Sequence, residues 1–250
     1  MKIVVVGASG FLGAKLVGAL RGTGREVVAA SRRTGVNSVS GEGLAASLAG
    51  AHVVVDVTNP PSLDGDLAME FFQASGRNLI AAGEAAGVAH HVVLSIVGVD
   101  RLASGYFRAK VAQEELIRRS PIPHTIVRST QFFEFIDRIV DNATDGDTVR
   151  LPQAYLQPIA GDDAAAALTD IALASPLNRT VEVAGPAAIP LVELASELLS
   201  AREIPRSILA DPGALYFGAA LEARSLIPGL DARLAEDSFA DWLRRMIPAG

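Results

Sequence analysis

Gly7-Ala8-Ser9-Gly10-Phe11-Leu12-Gly13 is the stretch on which the reading of this chain turns. It follows an apolar run, Ile3 to Val6, with the make-up of a short buried strand. It precedes Ala14 to Leu20, where apolar positions recur at helical spacing. A strand, a glycine turn and a helix start, in that order, form a phosphate cradle. Glycine lets the backbone come close to a pyrophosphate, and first-turn N–H groups and the helix dipole attract its charge. Glycines at 7, 10 and 13 spell GxxGxxG rather than GxGxxG, because Ala8 and Ser9 separate the first two. The backbone through Gly7, Ser9, Gly10, Phe11, Leu12 and Gly13 is therefore the candidate dinucleotide-binding segment.

Beyond the turn Arg21 to Gly24, Glu26 to Ser31 reads as a second strand ending in Ser31-Arg32-Arg33. Where NAD is bound, an acidic residue about 20 positions past the glycines holds the ribose 2′-hydroxyl. Here that place carries Arg32, with no Asp or Glu close by. A guanidinium suits a 2′-phosphate and also stacks on adenine. Ser31, Arg32 and Arg33 are thus cofactor-binding candidates, and NADP is the expected cofactor.

The next segments alternate. Gly35 to Gly43 is polar, with a weak strand at Val36 to Val39, and Leu44 to Leu48 suits a short helix. His52 to Val57 is a strand broken by Thr58-Asn59-Pro60-Pro61, where Pro forbids a helix. Leu67 to Ala86 is helical, with Leu67, Phe71, Phe72, Leu79 and Ile80 on one face. His91 to Val97 is a strand, Arg101 to Arg119 a helix, and His124 to Arg128 another strand. Such alternation specifies an α/β, doubly wound parallel sheet. Past Gln131 the alternation loosens. Helices are expected at Phe132 to Asn142, from an Asp162-Asp163 cap through Ala174, at Pro190 to Ala201, at Leu215 to Arg224 and at Asp231 to Ile247. Short strands are expected at Thr148 to Leu151, Ala154 to Gln157 and Thr180 to Ala184. The expected division is a nucleotide-binding core over residues 1–130 and a mixed region over 131–250 that completes the sheet and covers the substrate cleft.

Composition narrows the function. The 250 residues include no cysteine, which excludes disulfides, cysteine-ligated zinc and a thiol nucleophile. A net charge of −6 argues against a nucleic-acid or anionic-membrane surface. No apolar run has the length of a membrane span, and the N-terminal one stops at Gly7, short of a signal-peptide core. A cytoplasmic protein with a small-molecule substrate is the expectation, its oligomeric state open.

In an open parallel sheet, ligands sit beyond the carboxyl ends of the strands. Those ends carry Thr58 and Asn59, candidates for the nicotinamide side, and Val97 and Phe132, candidate walls of an apolar substrate pocket. Tyr106 and Lys110 stand at i and i+4 on one helical face. A phenol titrates near 10, and a neighbouring ammonium is expected to lower that value. Such a pair donates a proton to a carbonyl oxygen as hydride reaches its carbon. Ser95, at the preceding strand end, is placed to orient that oxygen.

These residues carry a resemblance. Gly7-xx-Gly10-xx-Gly13 and Tyr106-Phe107-Arg108-Ala109-Lys110 followed by Glu114 resemble the short-chain dehydrogenase/reductase superfamily in its extended and atypical branch. His91 to Gly98 and Ile126 to Phe132 resemble its NmrA-like oxidoreductases. The likeness covers about residues 1–185. It implies a Rossmann fold with a small C-terminal α/β region covering the substrate. It also implies catalytic roles for Tyr106, Lys110 and Ser95, with Lys110 on the nicotinamide ribose. Ser95 lies 11 residues before Tyr106, closer than that superfamily's usual spacing. Many NmrA-like members lack the Tyr–Lys pair, so its presence favours catalysis over cofactor sensing.

His52, His90, His91 and His124 open strands, at the edge opposite the cofactor, and are read as non-catalytic strand-entry residues with no metal. The expected function is an NADPH-dependent reductase of a small apolar carbonyl or quinone. Its rivals are a nucleotide-sugar epimerase or dehydratase, for which roughly 120 residues after Arg128 leave little room, and an NADP-binding redox sensor without turnover.

Overall fold

Lys2–Val6 (β1) has four of its five residues buried, as suits a strand covered on both faces. In the computed structural model, which describes residues 1–246, it lies inside a seven-stranded sheet. After it come Phe11–Gly22 (α1), Glu26–Ala30 (β2), Leu44–Leu48 (α2), Val53–Asp56 (β3) and Gly65–Ala85 (α3). His90–Ile96 (β4), Gly105–Arg119 (α4), His124–Ser129 (β5) and Ile136–Asn142 (α5) follow. The chain continues through Thr144–Asp145 (β6), Thr148–Leu151 (β7), Tyr155–Leu156 (β8), Gly161–Leu173 (α6), Arg179–Ala184 (β9) and Ile189–Pro190 (β10). Leu191–Ala201 (α7), Ser207–Ala210 (β11), Arg233–Leu234 (β12) and Phe239–Met246 (α8) close it. The sheet order is β2-β1-β3-β4-β5-β9-β12, with β1 parallel to β2 and β3, β3 to β4, and β9 to β12. The expected doubly wound α/β fold is present. The order reverses at β1 and β3, the switch point where such sheets bind ligands.

The chain divides into two compact units: Met1–Ser95, Gly105–Arg128 and Ala164–Val181 form one, and Ile96–Ser104, Ser129–Asp163 and Glu182–Gly250 the other. In the first, Val4, Val6 and Val54 pack with Leu44, Leu48, Leu79, Val88 and Ile122. Asp64 caps α3, accepting from the N–H groups of Asp66 and Leu67. Three glycines let α3 lie close to its neighbours. A Cβ on Gly76 would meet Leu116 at 3.2 Å, one on Gly83 would meet Ile122 at 2.9 Å, and one on Gly65 would meet the Gly105 Cα at 2.6 Å. Phe72, on the same helix, packs with Ala68 and Ala109 and is fully buried, a burial worth about 1.5–3 kcal/mol.

In the second unit, the Phe133 ring packs on Phe239 and Trp242, and β6, β7 and β11 form a small sheet. Arg202 pairs with Asp137 at 2.5 Å and Arg206 with Asp141 at 2.9 Å. Among the described residues no helix is long and apolar enough to cross a membrane.

Several expected elements differ. Leu215 to Arg224 is not helical: Phe217 and Gly218 both take positive φ (46° and 78°), and Tyr216 pairs with Ala219 around them. Two left-handed residues in succession make a tight hairpin turn and stop a helix. The helix expected over Asp231 to Ile247 begins at Phe239, because Arg233 and Leu234 join the sheet and the Ser238 hydroxyl accepts from the Asp241 N–H; Ile247 lies outside the described residues. Arg101 to Arg119 is interrupted: a 3₁₀ turn, Val99–Arg101, precedes α4, so Tyr106 sits in the helix's first turn. Phe132 stands outside a helix, bridged to Ile159, and a 3₁₀ turn leads into α5. Asp162 and Asp163 lie inside the first turn of α6, whose leading N–H, on Gly161, donates to the Glu134 carboxylate at 3.1 Å. Val36 to Val39 forms no strand. The Asn78 amide instead donates to the carbonyls of Ser38 (3.0 Å) and Val39 (2.7 Å) and holds that loop.

Of the four histidines expected to open strands, His52 falls just before β3 and the other three lie within strands. His90 and His91 open β4 and His124 opens β5. No group of three or more His, Asp or Glu side chains among the described residues is arranged to hold a metal. His90 Nε2 lies 2.9 Å from Thr125 Oγ1, whereas both ring nitrogens of His91 are buried without a partner. Burial pulls both imidazoles down to about 4; for His91 the Asp56 carboxylate opposes this, and for His90 the neighbouring His91 adds to it. The unfolded chain, titrating near 6.5, binds these protons more readily, so stability is complete above that pH and falls as pH drops toward 4. His91→Phe should flatten this acid limb. Thermal melts at pH 7 and pH 5 should show a smaller fall in Tm than in the parent, by about 2–4 °C for each kcal/mol of linkage removed.

Candidate dinucleotide and active site

Each glycine of the N-terminal loop meets a different constraint. Gly7 takes φ +90°, and a Cβ there would lie 2.8 Å from the Val57 carbonyl oxygen, against the end of β3. A Cβ on Gly13 would fall 2.2 Å from the Gly7 oxygen. Gly10 is exposed, and its Cβ would meet the Gly7 oxygen at 3.2 Å and nothing nearer. Gly7 and Gly13 are therefore required by packing, while Gly10 is exposed and meets only a milder contact. Gly10 is also the N-cap of α1, with no side-chain cap and no acidic residue in the first turn. An anion meets no competitor there. Ser9 is exposed, Phe11 half-buried with the Lys15 ammonium 5.4 Å from its ring centre, and Leu12 buried in the core.

After β2, Ser31 caps a short 3₁₀ turn, Arg32–Thr34, with its N–H donating to Thr34 Oγ1 at 2.9 Å. The turn lifts Arg32 and Arg33 into solvent. After β3, the Asp56 carboxylate accepts from the Thr58 N–H (2.9 Å) and hydroxyl (2.7 Å), which fixes the turn bearing Asn59. The Tyr106 hydroxyl donates to Asn59 Oδ1 at 2.8 Å, so the structure brings these two candidates together. Contact between Gly65 and Gly105, the first residues of α3 and α4, seats the helix starts next to this bond.

The buried face of α4 is unusual in carrying Lys110, Gln113 and Glu114 beside Phe107, Ala109 and Ile117. Lys110 Nζ donates to the Leu94 carbonyl and to Gln113 Oε1, each at 2.6 Å, and lies 4.6 Å from the Phe72 ring centre. Gln113 Nε2 donates in turn to Asp56 Oδ2 at 2.9 Å. Burial pulls Lys110 down to about 8 against the opposing carboxylates of Asp56 and Glu114. Burial pushes the Tyr106 phenol up to about 12, opposite to the lowering expected from a neighbouring ammonium. Ser95 is buried, its hydroxyl beside Glu114. Burial acts to raise the Glu114 carboxyl, but hydrogen bonds from Arg128 (2.8 Å) and Arg118 (2.6 Å) help hold it below its ordinary value. In the other unit, Val97 is fully enclosed and Phe132 nearly so, its ring 5.5 Å from that of Phe135.

A family model described as NAD(P)H-binding matches residues 7–172. The chain belongs to this NAD(P)H-binding family. The cofactor class is the one expected from the loop. The chloroplastic divinyl chlorophyllide a 8-vinyl-reductases of Zea mays and Oryza sativa subsp. indica are each 29% identical over 219 residues, covering 74% of this chain. The match takes in 55% and 54% of those proteins, so the chain spans about half the length of these curated relatives. The fold is shared with NADPH-dependent quinone oxidoreductase QOR2 from Escherichia coli, solved with NADPH (TM-score 0.72, 19% identity, 98% of this chain and 99% of that one). It is shared also with a short-chain dehydrogenase/reductase superfamily protein from Agrobacterium tumefaciens with bound NAD (TM-score 0.71, 18% identity, 98% of each chain). These overlays show the fold that the sequence resemblance implied.

Asp56, Gln113, Gly65 and Gly105 join the candidate site beside the residues expected from the sequence. A carboxylate closing a run of valines was the available signal, since a buried charge requires partners. For this NAD(P)H-binding protein, the two loop glycines should separate in their effects. Gly10→Val should weaken NADPH binding by at least about 100-fold, or about 2.7 kcal/mol, with Tm nearly unchanged. Gly13→Ala should lower Tm itself. Fluorescence titration and thermal melting of the two variants check this.

Proposed function

We propose that this protein is an NADPH-dependent reductase of a small, apolar acceptor, a quinone before a simple carbonyl. The loop around Gly10 and the start of α1 hold the pyrophosphate, Arg32 the 2′-phosphate, and Lys110 and Asn59 the nicotinamide end. NADPH, when bound, supplies the hydride. The reductases among the curated relatives, and the quinone oxidoreductase that shares the fold, support this class.

The observation that carries the choice of acceptor is the commitment of the Tyr106 proton. It is donated to Asn59, and burial holds the phenol near 12. Such a group keeps its proton at neutral pH and is a weak acid toward substrate. A ketone needs that proton as its carbon is reduced. The oxygen of a reduced quinone is a far weaker base, and water protonates it later.

Two variants test this with a panel of quinones, aldehydes and ketones. Arg32→Ala should weaken NADPH binding about tenfold or more, since one charge-assisted bond is worth roughly 1.5–3 kcal/mol, and leave NADH nearly untouched. Tyr106→Phe should cost less than about tenfold in kcat with a quinone; a loss of roughly 10²–10⁴ would select the carbonyl instead. Tight NADPH binding with no turnover on any acceptor would return the sensor.

A further inference from the structure

Lys110 and Asp56 are joined by one amide. Gln113 presents its oxygen to the ammonium and its nitrogen to the carboxylate, at 2.6 and 2.9 Å. All three side chains are at most 4% exposed, so water cannot replace either bond. The amide therefore has a fixed sense: a cation on one side demands an acceptor, and an anion on the other demands a donor. Asp56 then grips Thr58 through its second oxygen, and Thr58 precedes Asn59, which accepts from Tyr106. Tyr106 lies one helical turn before Lys110. The bonds and the intervening backbone close a ring through α4, β3 and the turn after β3.

We infer that Gln113 and Asp56 are positioning residues: together they hold Lys110 and the Thr58–Asn59 turn in one register, through a hydrogen-bond relay whose donor–acceptor order is what matters. Neither is placed against substrate or cofactor. The relay links the residue proposed for the ribose to the residue proposed for the nicotinamide side. In its binding arm the inference rests on the proposed cofactor role of Lys110. The relay itself is read from the protein alone.

A charge exchange tests the order. Asp56→Asn still offers an oxygen to Thr58 but turns an N–H₂ toward the Gln113 N–H₂. Gln113→Glu suits Lys110 but turns a carboxylate oxygen toward the Asp56 carboxylate. Each single variant has a mismatched bond. In Asp56→Asn/Gln113→Glu the order is restored: the carboxylate introduced on α4 accepts from Lys110 on one oxygen and from the amide introduced on β3 on the other. Net charge is unchanged, and the anion now touches Lys110 directly.

The chain has three lysines, so an ε-carbon label resolves the titration of Lys110 in the free protein. The charges acting on Lys110 are Asp56 on β3 and Glu114 on its own helix; α3 brings the Phe72 ring and β4 a carbonyl. Asp56 also faces His91, which titrates in acid, well away from the lysine. Each single variant should lose Tm and weaken NADPH binding by about tenfold or more, the loss of one good hydrogen bond to a charge. The double variant should recover both to within about threefold of the parent in affinity, roughly 0.6 kcal/mol. Its Lys110 should bind its proton about tenfold more tightly than the parent's, because an ion pair now replaces an amide. A double variant no better than the sum of the singles, one that does not fold, or one whose Lys110 titrates with the parent's midpoint would overturn the relay. Recovered titration and stability, with parent and double variant alike turning over no acceptor, would leave the relay standing and sink the reductase reading.

Discussion

Burying a charged helix face sets the terms for the cofactor-binding unit. Lys110, Gln113 and Glu114 all enter the interior on α4, and each must find partners there or cost several kcal/mol. Glu114 takes two arginines, and Lys110 takes a carbonyl, an amide and an aromatic face. With Asp56 of β3 accepting from Gln113, these partners come from β3, β4, β5 and α3, and from α4 itself. The helix is thus fixed in rotation as well as position, which hydrophobic packing alone does loosely. Any group at the start of α4, Tyr106 included, inherits that precision.

The glycines apply the same logic from the opposite direction. At Gly7, Gly13, Gly65 and Gly105 the backbone itself is the packing surface, and a single Cβ would force strands or helix starts apart. Gly10 differs in degree: it is exposed, and a Cβ there would meet the Gly7 oxygen at 3.2 Å, the mildest of the loop's three contacts. One loop therefore combines two glycines required by the protein's own backbone with an exposed one at the helix start proposed for the pyrophosphate.

The alternation of buried strands and amphipathic helices was legible through His124–Ser129 because each strand is a short apolar run and each helix repeats its apolar face. Legibility failed where local pattern and tertiary context part. Leu215 to Arg224 has helical composition, yet Phe217 is held left-handed, and the two-residue strand at Arg233 gives no periodic signal. At the site, the glycine spacing and the Tyr106–Lys110 spacing were readable because they are local. Their partners were not: Asn59 and Asp56 lie 47 and 57 positions from the residues they bond, and only the sheet order brings them close. The direction of the Tyr106 titration was misjudged for the same reason, since enclosure by Phe72 and Phe107 cannot be read from i and i+4.

The loop between β2 and α2, which takes the place of the weak strand expected at Val36 to Val39, is held at its middle by the single amide of Asn78. Its ends are the Arg32 turn and the left-handed Gly43. It adds no rung to the sheet, so its sequence carries no register to preserve. The segment proposed for the adenosine end is thus tied to the frame by Val36 in the core and by Asn78, not by strand pairing. An acidic residue in place of Arg32 should then shift cofactor preference, so long as Val36 stays in the core and two carbonyls still face Asn78.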